Sequence, residues 1–362
     1  MHIQRVVLQN FRNISMVDVE LTPGINVLYG ENAQGKTNFL ESIYFCATGR
    51  SHRSARDKDL VKTSEKEASA RVFVASRHTV DEIKMQIGRE GKSAAVNQLP
   101  IGKLGELYGH LTCVIFSPED LALVKAGPQV RRRFVDMELC QLYPAYYHNL
   151  RMYYKVLKQR NNLLKDLFKN KKLLDTLILW DEQLVEYGVK IMAARERFVA
   201  QISSIAGKNQ QNITGGRENL EIIYRNNVNI DSFFDKLAKY RETDIQRGAT
   251  SVGIHKDDIE FRINNDDTRV FGSQGQQRTV ALAVKLAEIE LVRMEKGYSP
   301  VLLLDDVLSE LDKNRQNYLL GSVDGLQAII TLTGAENAVG GYLRREDARI
   351  FGVENGTFTL QL

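Results

Sequence analysis

The chain is expected to fold as an α/β protein, as two or three structural units or one large domain with an insertion, and with a long helical stretch in its middle. Three observations predict this. A glycine-rich octapeptide, Gly30-Glu31-Asn32-Ala33-Gln34-Gly35-Lys36-Thr37, separates a strand-like run, Gly24-Ile25-Asn26-Val27-Leu28-Tyr29, from Asn38–Phe45, where apolar residues recur at helical spacing. A near-continuous apolar run, Pro300–Leu304, ends in Asp305-Asp306, the pattern of a strand buried on both faces of a parallel sheet. From Pro144 to Ala206 the pattern is helical throughout, with Gly188 tolerated inside it.

The octapeptide has the form of a phosphate-binding loop. Its glycines let successive N–H groups face one concavity, and the helix N-terminus adds partial positive charge. Lys36 can reach β- and γ-phosphates, and Thr37 offers a hydroxyl to Mg²⁺. Carboxylates at the C-terminal end of a core strand lie where α/β sheets bind ligands. One of Asp305 and Asp306 can serve Mg²⁺, and the other can orient or deprotonate an attacking water.

Composition narrows the classes. The 362 residues are 43% hydrophobic and 26% charged, an ordinary globular mixture. A net charge of +4 gives no strong global attraction to nucleic acid, so any such attraction must come from local patches. The three cysteines are far apart and odd in number, which fits buried thiols in a reducing compartment, and the cytoplasm is expected. No apolar run reaches the ~18 residues of a membrane span.

Taken in order, Ile3–Leu8 and Ser15–Leu21 alternate as a strand pair. Arg12 and Asn13 in the turn between them either reach a bound nucleotide or are simply turn residues. The basic stretch after the first helix, with Arg53, Arg56 and Lys58, is either solvated or a phosphate contact. Three strand-like runs follow between Ala68 and Val96, then a buried strand, Thr112–Phe116, and a helix start capped by Ser117 with Pro118 first. In the helical stretch Arg151, Lys155, Lys158, Lys165, Lys169 and Lys172 share one face. That face is solvated, a DNA-backbone track or a partner surface. Gly207–Asn219 reads as a connector, Leu220–Tyr224 as a strand and Ile230–Arg247 as a helix. His255 with Asp257 or Asp258 is a thin metal candidate lacking further ligands. Gly272–Gln277 opens onto a long helix and forms a second anion-binding device. Two such devices in one chain make two sites, or two halves of one site completed by a second copy. Gln327–Thr333 reads as a further buried strand, and Arg349–Phe358 as a hairpin.

The motif set resembles the ABC-type ATPase heads of the SMC class, a P-loop NTPase fold with a mixed-sheet lobe and an inserted helical lobe. The carrying residues are the Walker A loop Gly30–Thr37, the signature Ser273-Gln274-Gly275-Gln276-Gln277, the Walker B run Leu302–Asp306, and Ser309-Glu310-Leu311-Asp312. More narrowly, Leu8–Asn13, Phe116–Leu121, Gly127-Pro128, Arg131-Arg132 and Gly272–Arg278 resemble the RecF family of bacterial recombination-repair ATPases. The resemblance implies an ATPase lobe of residues 1–115 and 248–362, and a mainly helical lobe of 116–247. It implies ATP and Mg²⁺ as cofactors, with Asn32, Asn38, Arg12 and Asn13 as nucleotide contacts beside the loop. Thr37 and Asp305 would hold Mg²⁺, Lys36 and Asp306 would be catalytic, and Ser273 and Gly275 would meet the γ-phosphate held by a second copy.

The resemblance further implies an ATP-driven homodimer that binds double-stranded or junction DNA. Such a dimer would work with RecR and RecO to help load RecA at gaps. It would hydrolyse ATP as a weak, DNA-dependent ATPase, slowly because Asp306 stands where many relatives have glutamate. Thr331 or Thr333 stands where relatives often carry a switch histidine, and no glutamine occurs around Ser117 and Pro118. The alternative is the ATPase subunit of a membrane transporter. That reading predicts a Leu-Ser-Gly-Gly-Gln signature, whereas the chain has Gly-Ser-Gln-Gly-Gln and a basic helical insertion.

Overall fold

The computed structural model describes residues 1–54, 56–76, 79–169, 171–333 and 348–361, without the side chains of residues 168, 169, 171 and 172. Lys169 and Lys172 of the predicted stripe therefore lie outside the described side chains. The chain divides into two compact units, residues 1–121 with 281–362, and residues 122–280. Segment 248–280, expected in the ATPase lobe, thus groups with the helical residues, and the division falls inside the helix Gln274–Lys296.

The first unit packs two sheets around one helix. In the first sheet the order is Thr357–Gln361, Arg349–Glu354, Ile25–Tyr29, Ala328–Leu332, Val301–Asp305, Cys113–Phe116. All neighbours are parallel except the terminal hairpin. Val301–Asp305 and Ala328–Leu332 are buried at every position, as an apolar run without alternation requires. The second sheet is antiparallel, in the order Ile14–Glu20, His2–Phe11, Ala68–Ala75, Val80–Gly88, Gly91–Val96, Leu99–Pro100. The helix Lys36–Thr48 buries Phe39, Leu40, Ile43 and Cys46 in a core shared with Val6 and Val72 of the second sheet and Leu303 and Ile329 of the first. Because that helix is buried all round, its first turn is held still, and so is the loop that feeds it.

The second unit is built on two long helices, Pro144–Lys169 and Leu177–Thr214, joined by a 3₁₀ turn. The expected connector at Gly207–Asn219 is helical as far as Thr214, and the chain turns at Gly215 and Gly216, both at positive φ. The predicted helix Ile230–Arg247 is broken into Phe233–Lys239 and Arg241–Arg247 after a 3₁₀ turn. Gly188 is required where it sits, since a Cβ there would fall 2.5 Å from the Phe233 ring. A three-stranded antiparallel sheet, Asp266–Asp267, Asp258–Ile263, Leu220–Arg225, completes the unit.

Its core is unusually polar. Arg195 is fully buried and reaches Asp136, at 2.8 and 3.1 Å from Nη2, and Asp257, at 3.0 Å from Nη1. Tyr146 donates to Asp136, Tyr224 donates to Asp257, and the Asn227 N–H donates to the other Asp257 oxygen. Arg160, equally buried, pairs with Asp181 and Asp244, although its Nη2 has no hydrogen-bond partner among the described residues. A charge in a dry interior is tolerable only when it is paired and its remaining hydrogen-bonding groups are satisfied. These links tie both long helices to the strands and turns around them.

Candidate functional site

In the first unit the chain leaves the strand Ile25–Tyr29 at Gly30, φ 156°, where a Cβ would lie 2.3 Å from the Val353 carbonyl oxygen. Ala33 and Gly35 also have positive φ, at 66° and 116°, and the helix begins at Lys36. The loop is stapled from outside. The N–H groups of Asn355 and Gly356 donate to the Gln34 side-chain and backbone carbonyls at 2.6 and 2.8 Å, and Asn13 donates to the Ala33 carbonyl at 3.1 Å. The Lys36 ammonium curls onto the carbonyls of Gly30 and Glu31, 2.6 Å from each. Burial lowers its pKa, with Asp306 and Asp305 pulling the other way.

The two carboxylates arrive on the neighbouring strands' open end. Thr37 Oγ1 donates to Asp305 Oδ1 at 2.7 Å, although the two residues are 268 positions apart. Thr331, on the strand between, donates to the same oxygen at 3.0 Å and accepts from the Asp306 N–H at 2.8 Å. Burial pushes the Asp305 carboxyl above the ordinary carboxylate range, and the hydrogen bonds from Thr37 and Thr331 oppose that shift. Asp306 sits in the left-handed region, φ 52°, and its buried Oδ1 has no hydrogen-bond partner among the described residues. A hydroxyl and a carboxylate in direct contact supply the hard oxygen ligands that Mg²⁺ prefers. Thr37 and Asp305 therefore fit that ion, and an unpartnered Asp306 oxygen is the kind of acceptor that holds a water.

A cavity of about 400 Å³ joins these groups. Its wall consists of Asn13, Asn32, Ala33, Gln34, Gly35, Lys36, Thr37, Asn38, Arg53, Asp306, Thr331 and Thr333. The wall is polar and ends on a helix N-terminus, the setting in which backbone N–H groups bind phosphate.

In the second unit the signature loop is closed by a capping box. The Ser273 hydroxyl accepts from the Gln276 N–H at 3.2 Å, and the Gln276 side-chain oxygen accepts from the Ser273 N–H at 2.9 Å. Gln277 is buried and donates to the Thr268 carbonyl, whereas Ser273 and Gln274 remain exposed at the start of the long helix.

Comparison with known proteins places this architecture. Residues 2–339 match the family model described as the RecF/RecN/SMC N terminal domain. The chain is 47% identical to the DNA replication and repair protein RecF of Lachnoclostridium phytofermentans, over 99% of both chains. It is 45% identical to that of Lachnospira eligens, over 98% of both. The chain belongs to the RecF family. A solved structure described as the recombination mediator protein RecF-ATP in the RecFOR pathway superposes with a TM-score of 0.93 at 35% identity, covering 100% of this chain and 98% of the other. The Smc head domain of Pyrococcus furiosus shares the fold alone, with a TM-score of 0.57 at 16% identity over 99% of this chain and 96% of that one. The ABC-type head expected from the motifs is the fold observed.

Within this RecF-family head, some candidate residues stand elsewhere than expected. Arg12 is not in the cavity wall. Its guanidinium forks onto the buried Glu41 at 2.8 and 2.9 Å and donates to the Asp59 carbonyl at 2.7 Å. Burial pushes the Glu41 carboxyl up, and the bonds from Arg12 and Ser51 overcome this and leave it below its usual value. Gly30 and Glu31 also lie outside the wall, occupied with Lys36. Arg53, a DNA candidate by sequence, lines the nucleotide cavity and donates to the Asn38 side chain at 3.3 Å. Arg56 and Lys58 are exposed, as are Arg151, Lys155, Lys158 and Lys165, and none of these six has an ion-pair partner among the described residues. His255 is not poised for a metal. Its Nε2 donates to the Thr250 carbonyl at 3.0 Å, so its Nδ1 accepts from the Tyr153 hydroxyl at 2.9 Å. Asn355 and Gly356 escape motif reading because their roles depend on strand neighbours, and Thr331, read only as standing at a switch position, has its hydrogen bond to Asp305 from the same cause. The hydroxyl of Thr331, directly beside the Asp305-Asp306 strand end in a parallel register, is the signal that could have revealed it.

Proposed function

We propose that this chain is an ATP-dependent DNA-binding protein of recombinational repair and replication-gap processing. The observation that carries the reading is the Thr37–Asp305 contact. It joins the phosphate loop to the acid-bearing strand in one polar cavity, while the signature serine caps a separate helix, exposed, in the other unit. ATP would lie on the loop N–H groups with Lys36 at its terminal phosphates, and Mg²⁺ would be held by Thr37 and Asp305. That ion would supply charge neutralisation at the β- and γ-phosphates. Asp306 would orient a water, and its short side chain predicts slow turnover.

Ser273 and Gly275 of a second copy would complete the site, so that ATP closes a homodimer and hydrolysis opens it. The closed dimer would hold DNA through Arg56, Lys58 and the exposed face of Arg151, Lys155, Lys158 and Lys165. DNA would in turn stimulate a weak ATPase. RecR is the proposed direct partner, with RecO and RecA acting downstream at single/double-strand junctions. This reading is supported by membership of a family whose relatives are named for DNA replication and repair. No helix among the described residues is long and apolar enough to cross a membrane.

The test is molecular mass in solution, with and without Mg-ATP, for the wild type and Ser273→Arg. A monomer-to-dimer shift with ATP, absent in the variant, is the expected result. A wild type that stays monomeric at saturating ATP would overturn the composite site.

A further inference from the structure

Ser273 does not set its own orientation. Its hydroxyl accepts from the Gln276 N–H, which commits an oxygen lone pair and leaves the O–H proton for an acceptor outside the loop. An anionic phosphate oxygen is such an acceptor. The Gln276 side chain holds this arrangement only in one amide orientation, with its oxygen on the Ser273 N–H and its nitrogen turned away. That nitrogen donates to Glu218 Oε1 at 3.1 Å. The other carboxylate oxygen of Glu218 accepts from the Gln210 side chain at 2.7 Å. Gln210 is fully buried near the end of the long helix Leu177–Thr214, and its backbone carbonyl accepts from Thr214.

We propose that Glu218 is a positioning residue for the signature serine, the middle of a relay Gln210–Glu218–Gln276–Ser273 that ties the end of the long helix to the loop meeting the second copy's phosphate. The inference rests on the composite-site reading above and adds to it the residue that aims the serine. Only an acceptor can sit between two amide nitrogens. A carboxylate accepts from both Gln210 and Gln276 and thereby opposes the flipped Gln276 amide, which would present its nitrogen to the Ser273 N–H. Glu218 lies just past the Gly215-Gly216 turn, both glycines at positive φ, so a shift of the helix end reaches the carboxylate through a few residues of fixed backbone.

Glu218→Met is the diagnostic variant, because it keeps length while removing both acceptor oxygens. The ATP concentration at half-dimerisation should rise about tenfold, as expected for one charge-assisted hydrogen bond lost. Binding of a fluorescent ATP analogue to dilute monomer should stay at the wild-type value. Glu218→Gln should stay close to the wild type. The amide introduced at 218 still accepts from Gln276, and the Gln210 side-chain oxygen, buried without a partner among the described residues, turns to accept from it. A wild-type ATP requirement for Glu218→Met would overturn the inference while leaving the composite site standing. So would a Glu218→Gln as impaired as Glu218→Met, since a relay needs only an acceptor for Gln276 at this position. A wild type that never dimerises with ATP would remove both readings together.

Discussion

Two histidines, one in each unit, show how differently the two halves of this protein treat a polar group taken from water. Both His52 and His255 are driven by burial to a pKa of about 4. His255 is fully used, with one nitrogen donating to Thr250 and the other accepting from Tyr153. Neither ring nitrogen of His52 has a hydrogen-bond partner among the described residues, although both are buried and the ring stands edge-on to Tyr44 at 5.5 Å. The second unit spends its buried polar groups on holding helices together. The first leaves the His52 nitrogens and an Asp306 oxygen unpaired, and the second also keeps unpaired atoms, at Arg160, Gln210, Arg241 and Thr268, among the described residues. Satisfied polar networks specify a fold, and each unsatisfied group calls for its own explanation.

The contrast can be broken most forcefully at Arg195. Replacing it with alanine leaves Asp136 and Asp257 facing each other without their shared cation, and the second unit should lose about 4 kcal/mol. Urea unfolding followed through Trp180, the only tryptophan and a residue of that unit, measures the loss. A loss below about 1 kcal/mol would mean that the network is ornament.

Acid tests the histidines next. A folded pKa near 4 against an ordinary 6.5 means that the neutral ring is favoured in the folded state. The stability so gained is present above pH 6.5 and is lost as pH falls towards 4, amounting to about 2 kcal/mol at pH 5. Asp257 in the same network has its pKa raised by burial, with Arg195 opposing, and so acts in the reverse sense. The clean measurement is therefore a difference. The drop in Trp180-monitored stability between pH 7 and pH 5 should be larger in the wild type than in His255→Gln.

The smallest effect sharpens the comparison. His52→Phe gives up no hydrogen bond and keeps the ring beside Tyr44, so thermal stability should change by less than about 1 kcal/mol. A loss of several kcal/mol, measured by calorimetry, would show that His52 is as structurally committed as His255.

What the sequence discloses follows the same divide. The phosphate loop, the acid-bearing strand and the capped signature helix are local patterns. Each combines a strand or helix period with a turn residue that permits only one backbone path, and each is found where the pattern puts it. The second unit's core is not local. The helical spacing of Leu150, Tyr154, Leu157 and Leu164 puts Tyr154 on an apolar stripe, yet it is 42% exposed, while Tyr153 and Arg160 are buried. An arginine reads as solvated until Asp181 and Asp244 are brought to it from 21 and 84 positions away. The polar run Lys208-Asn209-Gln210-Gln211 reads as a connector for the same reason, because Glu218, which accepts from the Gln210 amide nitrogen, is invisible to a window centred on the helix. In the site itself, Arg12 and Arg53 are separated only by what each meets. Glu41 claims the first, and the cavity keeps the second.

The stapling of Gln34 by Asn355 and Gly356 has a consequence for how the protein is made. The partners are 321 residues apart in the Asn355 contact, and Gly30 is packed under the carbonyl of Val353. A ribosome adding about 5–20 residues per second delivers these staples on the order of half a minute after the loop has emerged. During that interval the nascent chain carries a nucleotide-binding sequence but not the strand that shapes it. The staples of the loop therefore arrive with residues 349–361, and a chain truncated before them carries the whole motif without its mould.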